Sequence, residues 1–214
     1  SIKAGGSVVM KAVSSQKNNL IPFVEGANIV NVKIGNAVIS ILGNIEAGGA
    51  VEATASSTVN VAASNETLAK YFIPLAAGIL VSEARVEAGK DSVITAGGDV
   101  KLSSVSDVTL TTLSTVGALP ISLALSVVVN DSHVQVLGKI ISRNGDISLD
   151  AKGSSKVTTK STNKTPETSE NAVNPGNGSS TPTGSGSLSN KYGGFFAASI
   201  VIQDVDASVT GNGS

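Results

Sequence analysis

The sequence predicts an all-β parallel solenoid (a parallel β-helix), and three observations lead to that fold class. A phrase centred on a glycine turn occurs four times, as IKAGGSVVMKA, IEAGGAVEATA, ITAGGDVKLSS and ISRNGDISLDA. After each phrase, β-branched residues alternate with polar ones, the pattern of a strand with one buried face. The phrase returns at long, nearly regular intervals, and self-similarity with a period of about 20–50 residues indicates a solenoid, a propeller or an array.

The second glycine of each phrase sets the length of the repeating unit. Successive spacings are 43, 49 and 47 residues, measured between Gly6, Gly49, Gly98 and Gly145. Helical solenoids are excluded because the units lack the 3.6-residue apolar stripe and the helix-forming residues that such units need. A propeller is disfavoured because the chain has no Trp, and propeller blades usually carry aromatic motifs. We therefore expect a single solenoid domain over 1–214, with units covering about 1–43, 44–92, 93–139 and 140–214.

Within a unit, the predicted order is a Gly-Gly corner, a strand, a polar stretch, apolar strands and a closing glycine. An apolar-Pro step precedes the apolar strands at Pro22, Pro74 and Pro120. We expect about four two-turn repeats, each turn using about 23 residues, with strands about 4.8 Å apart. Glycine is expected at the corner because it tolerates a positive φ. Ordinary hairpin turns are the alternative, although they leave so long a unit unexplained.

The strand that follows each corner predicts the inner surface of the coil. The residue two positions after the second glycine is apolar in every unit, and we expect these residues to stack as an inward column. They are Val8, Val51, Val100 and Ile147.

The fourth unit contains an insertion from about 160 to 190, where three of the six prolines lie. This stretch has almost no large apolar side chain, so it cannot bury enough surface to offset the entropy of ordering itself. We expect a long surface loop at one corner of the coil. Both a functional loop and a spacer without a partner are consistent with its composition.

Composition and motifs exclude several classes of function. The formal net charge is −1 and no basic run is present, which argues against nucleic-acid binding. The longest apolar run, 119–129, is far shorter than the roughly 20 residues of a membrane span. His133 is the only histidine and the chain has no Cys, so we predict no metal site and no histidine-based nucleophile. Asp99 and Asp146 resemble a calcium-binding nonapeptide too weakly to predict calcium, and no cofactor is expected.

Few residues are candidates for ligand contact. Asp204 and Asp206, in IVIQDVDAS, are two positions apart and therefore share one face of a strand, as a pair of catalytic carboxylates would. Lys191 is the nearest basic residue in sequence, and Tyr192 follows it. We name these four residues as possible ligand contacts and predict no catalytic residue, since solvated outward charges explain the two aspartates better than a catalytic pair does.

Residues 94–138 resemble the repeats of very large secreted bacterial proteins, the leukotoxin-like and filamentous-haemagglutinin-like exoproteins. The segments that carry the resemblance are ITAGGDVKLSS and GALPISLALSVVVN, with weaker versions in the other units. The resemblance implies a right-handed parallel β-helix, export to the bacterial surface or medium, and a role in adhesion or cell contact. It supplies no binding or catalytic residues.

We therefore expect a non-enzymatic structural or adhesive shaft segment of a secreted or surface-exposed bacterial adhesin, cut from a longer chain. Its expected partners are flanking repeats of the same chain and host-cell or extracellular glycans or proteins, with no nucleic acid and no membrane span. Two alternatives remain: a carbohydrate-active β-helix enzyme, and a spacer region of a secreted toxin.

Overall fold

A computed structural model describes residues 1–20, 28–67, 73–116, 121–163 and 194–210. These residues contain no helix, and hence none that is long and apolar enough to cross a membrane. They form twelve strands: β1 (Ile2–Ala4), β2 (Val8–Leu20), β3 (Ile29–Ile41), β4 (Ile45–Ala47), β5 (Val51–Thr67), β6 (Leu75–Ala88), β7 (Val93–Ala96), β8 (Val100–Val116), β9 (Ile121–Val136), β10 (Lys139–Ser142), β11 (Ile147–Asn163) and β12 (Gly194–Val209).

The strands form three parallel sheets, and each repeating unit supplies one strand to each sheet. Sheet A has the order β1-β4-β7-β10, sheet B the order β2-β5-β8-β11, and sheet C the order β3-β6-β9-β12. Sheets B and C contact each other through their inner faces, and the short strands of sheet A connect them at one edge. The predicted parallel β-solenoid is confirmed.

The expectation of two turns per unit is wrong, because each unit makes one turn. Val51 pairs with Val100, a full unit further along the chain, and β5 and β8 stay in this register over all 17 residues. Strands of this length use the residues that a second turn would have needed. Right-handed coiling stays a prediction from the resemblance.

The glycine corners join sheet A to sheet B in the first three turns, and they are needed for close stacking. A Cβ on Gly48 would lie 2.3 Å from the carbonyl oxygen of Gly5, and one on Gly97 would lie 2.1 Å from that of Gly48. The amides of Gly48 and Gly97 donate to Ala4 and Ala47 in the preceding turn, at 2.9 Å each. None of these glycines has a positive φ, so the expected reason for glycine was wrong and the real reason is the approach of one turn to the next.

The expected inward column is confirmed. Val8 pairs with Val51, Val51 with Val100, and Val100 with Ile147. Val51 and Val100 are fully buried. Ile147 is 49% exposed because it belongs to the last turn, where no further turn covers it.

A layer of buried hydroxyl groups divides the core into two apolar clusters. Ser82 Oγ lies 2.8 Å from both Ser57 Oγ and Ser106 Oγ, and Ser57 donates to the carbonyl oxygen of Gly35 at 3.0 Å. Asn130 extends the layer towards the last turn by donating to the carbonyl oxygen of Ser106. Since a buried hydroxyl group without a partner is costly, this chain of hydrogen bonds disfavours any sliding of sheet B against sheet C.

The insertion begins later than the sequence indicated. Residues 160–163 belong to β11, where Lys160 pairs with Leu113 and Asn163 with Val116. These residues stay in register with β8, and Ser161 Oγ donates to the carbonyl oxygen of Ser122 in sheet C at 2.9 Å. The rest of the predicted loop lies outside the described residues.

Val100→Asp tests the inward column. We expect this change to lower the free energy of unfolding by about 4 kcal/mol, because it buries a carboxylate with no partner. Lys101→Asp, on the adjacent and exposed position, is the control and should have little effect. Thermal and denaturant unfolding would measure both variants, and an unchanged stability for Val100→Asp would show that the column faces outward.

A shortened connection tests the insertion. Val116 and Ile121, which pair with Asn163 and Gly194, are joined by residues 117–120 alone. Replacing 164–193 with a copy of 117–120 should therefore preserve the β circular dichroism and the solubility, since a connection of this length already closes the third turn. Insoluble or unfolded protein would show that the removed segment contributes to the coil.

Candidate functional site on the outer face of sheet C

The outward face of sheet C gathers ionisable side chains from three consecutive turns. The register aligns Glu83, Asp131 and Asp204 in one column. It aligns Arg85, His133 and Asp206 in the next column. We call these six residues, Glu83, Arg85, Asp131, His133, Asp204 and Asp206, the acidic cluster. Four of them are carboxylates, and Arg85 is the one permanently charged cation among them.

The strand alternation explains why these side chains point outward. On β9, Asn130, Ser132 and Val134 are buried against sheet B, so the residues between them, Asp131 and His133, must face the other side. The in-register pairing of β6 and β12 with β9 imposes the same direction on their partners.

The structure describes two of the four residues predicted as ligand contacts, and their contact with a ligand stays a prediction. Asp204 and Asp206 both lie on the outward face of β12, as their spacing predicted, and both are exposed. Lys191 and Tyr192 lie outside the described residues.

Polar contacts link the members of the cluster, both within a strand and between turns. Arg85 Nε lies 3.1 Å from Glu83 Oε1, and Arg85 Nη2 lies 4.0 Å from Asp131 Oδ2. His133 Nε2 contacts Asp131 Oδ1 and lies 3.8 Å from Asp204 Oδ2. Stacking one turn on the next therefore places three carboxylates around a single guanidinium and a single imidazole.

Two of these contacts are not hydrogen bonds. Arg85 Nε and Asp131 Oδ1 are both shielded from solvent, yet neither has a partner with hydrogen-bond geometry. Both side chains are partly exposed, at 40% and 28%. Solvent reaches the other atoms of both side chains and screens their charges, so we assign the cluster little weight in the stability of the coil.

The cluster can hold a cation at one point. Asp131, His133 and Asp204 offer ligand atoms that all lie within 4.8 Å of one another. Carboxylate oxygens with one imidazole nitrogen form a ligand set that suits divalent zinc or manganese. The prediction of no metal site considered only His and Cys partners for His133, whereas the fold brings in an aspartate from a different turn.

The same three side chains are the closest approach to a catalytic arrangement among the described residues. Two carboxylates beside an imidazole provide groups that could accept and donate protons. They stand on an outward sheet face, however, and Asp204 is 74% exposed. General acid and base catalysis gains most where the catalytic groups are removed from water, which this position does not provide.

Asp131, His133 and Arg85 were missed as members of a group with Asp204. Asp131 and Asp204 are 73 residues apart in sequence, and 73 is also the spacing between the closing glycines Gly138 and Gly211. Applying that spacing to the strand that precedes Gly138 would have placed Asp204 beside Asp131 and Asp206 beside His133.

Two side chains at the corners, those of Asp99 and Ser7, have a structural role. Asp99 Oδ1 accepts a hydrogen bond from the amide of Asp146 in the next turn at 2.9 Å. Ser7 does the same at the first corner, where its Oγ accepts from the amide of Ala50 at 3.1 Å. These side chains satisfy amides that the corner would otherwise leave without a partner.

Comparison with protein-family models, with curated proteins and with solved structures finds no match to this chain.

Proposed function

We propose that the chain is a non-enzymatic shaft segment of a large secreted or surface-exposed bacterial adhesin. The observation that carries this proposal is the stacking of four turns in continuous register. In sheet B, paired residues connect Val8 in the first turn to Ile147 in the fourth, and in sheet C the pairing begins with Ile29 and Ala76 and continues in the later turns. A structure of this kind lengthens by adding turns, and each added turn repeats the same outward surface.

The end faces of the described coil support a role within a longer shaft. The outer edges of β1, β2 and β3 at one end, and of β10, β11 and β12 at the other, have no paired strand among the described residues. Inward-pointing apolar side chains are open there, with Ile2 at 47% and Val205 at 41% exposure. Further turns of the same kind would pair these edges and cover these side chains. Flanking repeats are therefore the first proposed partners.

The outer face of sheet B is suited to weak and repeated contact. The outward residues of β8 and β11 are mostly Ser, Thr, Lys and Asp, which offer hydroxyl and charged groups to a hydrated ligand. Single contacts of this kind are weak, but many of them along a rod produce high avidity. Glycans or proteins of a host-cell or extracellular surface are the proposed ligands.

The second candidate is a carbohydrate-active enzyme, and the grouping of Asp131, His133 and Asp204 is the observation that favours it. Glycoside hydrolysis requires two carboxylates on opposite sides of the scissile bond. Here Asp131 and Asp204 instead come from adjacent strands of one sheet face, so they approach a ligand from the same side.

The enzyme and the shaft are distinguished by measuring turnover. We expect no cleavage of a panel of soluble polysaccharides, with or without added zinc or manganese. Any binding of glycans should be unchanged in Asp204→Asn/Asp206→Asn and in Asp131→Asn/Asp204→Asn. A shaft would bind glycans through its repeated surfaces and not through one pair of acidic residues. A cleavage rate that disappears in either double variant would contradict the shaft and establish the enzyme.

Adhesion itself is tested by valency. Beads that carry two chains fused in series should adhere to a glycan-coated or cell surface more strongly than beads that carry the same mass of single chains. Equal absence of adhesion in both cases, on surfaces of several glycan compositions, would contradict the adhesive part of the proposal.

A further inference from the structure

Beside the acidic cluster, the outer face of sheet C is apolar in every turn. Three adjacent outward columns begin in β3 at Val30, Val32 and Ile34, and they end in β12 at Ala198, Ile200 and Ile202. We call these columns the apolar face. Its residues in β6 and β9 are also apolar, within the segments LAAGILV and LALSVVV.

This face is open among the described residues. In the middle strands, Ile79 and Val127 remain partly exposed although a turn lies on each side of them, whereas the inward Leu80 and Val128 beside them are fully buried. Val32 and Ile34 in the first turn, and Ile200 and Ile202 in the last turn, are more than half exposed. A fourth column of apolar residues, which includes Leu123 and Phe196, extends the face along the strands. Given a strand spacing of about 4.8 Å and about 6.8 Å between alternate residues, the face covers on the order of 500 Å². Patches of that size on soluble proteins mark interaction sites.

The strand sequences show that the coil alone does not require this face to be apolar. Strands that are covered on both sides have nearly continuous apolar runs, whereas strands with one solvated side alternate. The segment LALSVVV in β9 follows the first pattern, and the outward face of sheet B follows the second, with Glu52, Lys101 and Ser148 in one of its columns. Sheet C is therefore built to be covered.

We propose that the apolar face binds a second copy of this chain, so that two coils pair side by side with their axes parallel. Two such faces together bury about 1,000 Å², which is close to the smallest area of a specific protein–protein interface. The interface also grows with each turn added to both coils. The inference depends on the apolar face and goes beyond the proposed role in adhesion, so either can fail without the other.

Charge selects the parallel arrangement. A two-fold axis that runs along the strands would keep both acidic clusters at the same end of the contact and reverse the order of the turns, so that Glu83 of one copy would face Asp131 of the other. A two-fold axis that runs along the coil reverses the strand direction across the interface, so the two clusters lie at opposite ends of the apolar contact. Because opposed like charges are unfavourable, the second arrangement is the stable one.

The molar mass in solution tests the pairing. Analytical ultracentrifugation of the full chain, over a range of concentrations, should show reversible conversion of a 21.3 kDa species to one of twice that mass. Val32→Lys/Ile34→Lys should remain monomeric at every concentration and keep the β circular dichroism of the wild type.

Val9→Lys/Val13→Lys is the matched control, since it makes the same kind of change at exposed positions of β2, the edge strand of sheet B in the same turn. This variant should still form the dimer. A wild-type chain that stays monomeric at several hundred micromolar would overturn the proposal. So would equal loss of the dimer in both variants, which would place the contact elsewhere. Binding of monomers to phosphatidylcholine vesicles, lost only in Val32→Lys/Ile34→Lys, would replace the second copy by a lipid surface.

The orientation has its own readout, because the chain contains no Cys. With parallel axes, Val32 in the first turn lies opposite Val32 of the second copy, whereas with antiparallel axes it lies opposite Ile200 in the fourth turn, about 14 Å away along the coil. Val32→Cys should then be joined to itself by a short bis-maleimide. Efficient joining only in a mixture of Val32→Cys and Ile200→Cys would show antiparallel axes and overturn the proposed arrangement.

Discussion

The hydrogen-bonded register between successive turns is the constraint on which the rest of this structure depends. Each strand of sheet B or C pairs with the equivalent strand of the next turn, with no shift over 13 to 17 residues. Because side chains alternate between the two faces, a shift of one residue would move Val51 and Val100 outward and bring Glu52 and Lys101 into the core. The glycine corners and the buried layer around Ser82 act on the same constraint, the first by permitting close stacking and the second by disfavouring sliding.

Much of the fold was predictable because the spacing of a few glycines equals the offset at which strands of successive turns pair. The spacing of Gly6, Gly49 and Gly98 equals the pairing offset of sheet B, which is why the inward column of valines was predicted correctly. The number of turns per unit was not predictable in the same way. The period gives the number of residues between equivalent positions. It does not give the number of turns, one or two, that the chain makes over those residues. The usual strand length of about 5–6 residues favoured the wrong answer, since β5 and β8 have 17.

The sequence predicted the direction of the side chains at the candidate site, but it did not predict which of them lie together. The outward direction of Asp204 and Asp206 follows from local alternation and was predicted. Their proximity to His133 depends on pairing between turns across a long insertion, and a motif search within one unit cannot detect it. The role of Asp99 was likewise hidden, since its partner is an amide of the next turn.

The outer faces of sheets B and C differ in the polarity of their side chains. Sheet B presents hydroxyl and charged groups, while sheet C presents an apolar face bordered by the acidic cluster. Both patterns are continued from turn to turn by the same register. A coil with one hydrated face and one apolar face suits the proposed outward contact on the first face and the proposed pairing of two coils on the second.

The most direct test of this account is a disulfide between two turns, because its central claim is that one repeating unit makes one turn. Thr58 and Asp107 are register partners on the outer face of sheet B, and adjacent strands about 4.8 Å apart allow a disulfide. The account predicts that Thr58→Cys/Asp107→Cys oxidises readily and that Thr58→Cys/Val105→Cys, shifted by two residues, does not. It also predicts no disulfide in Thr58→Cys/Val81→Cys, because these residues point outward from opposite sheets. Formation of that last disulfide in place of the first would restore two turns per unit and contradict the account.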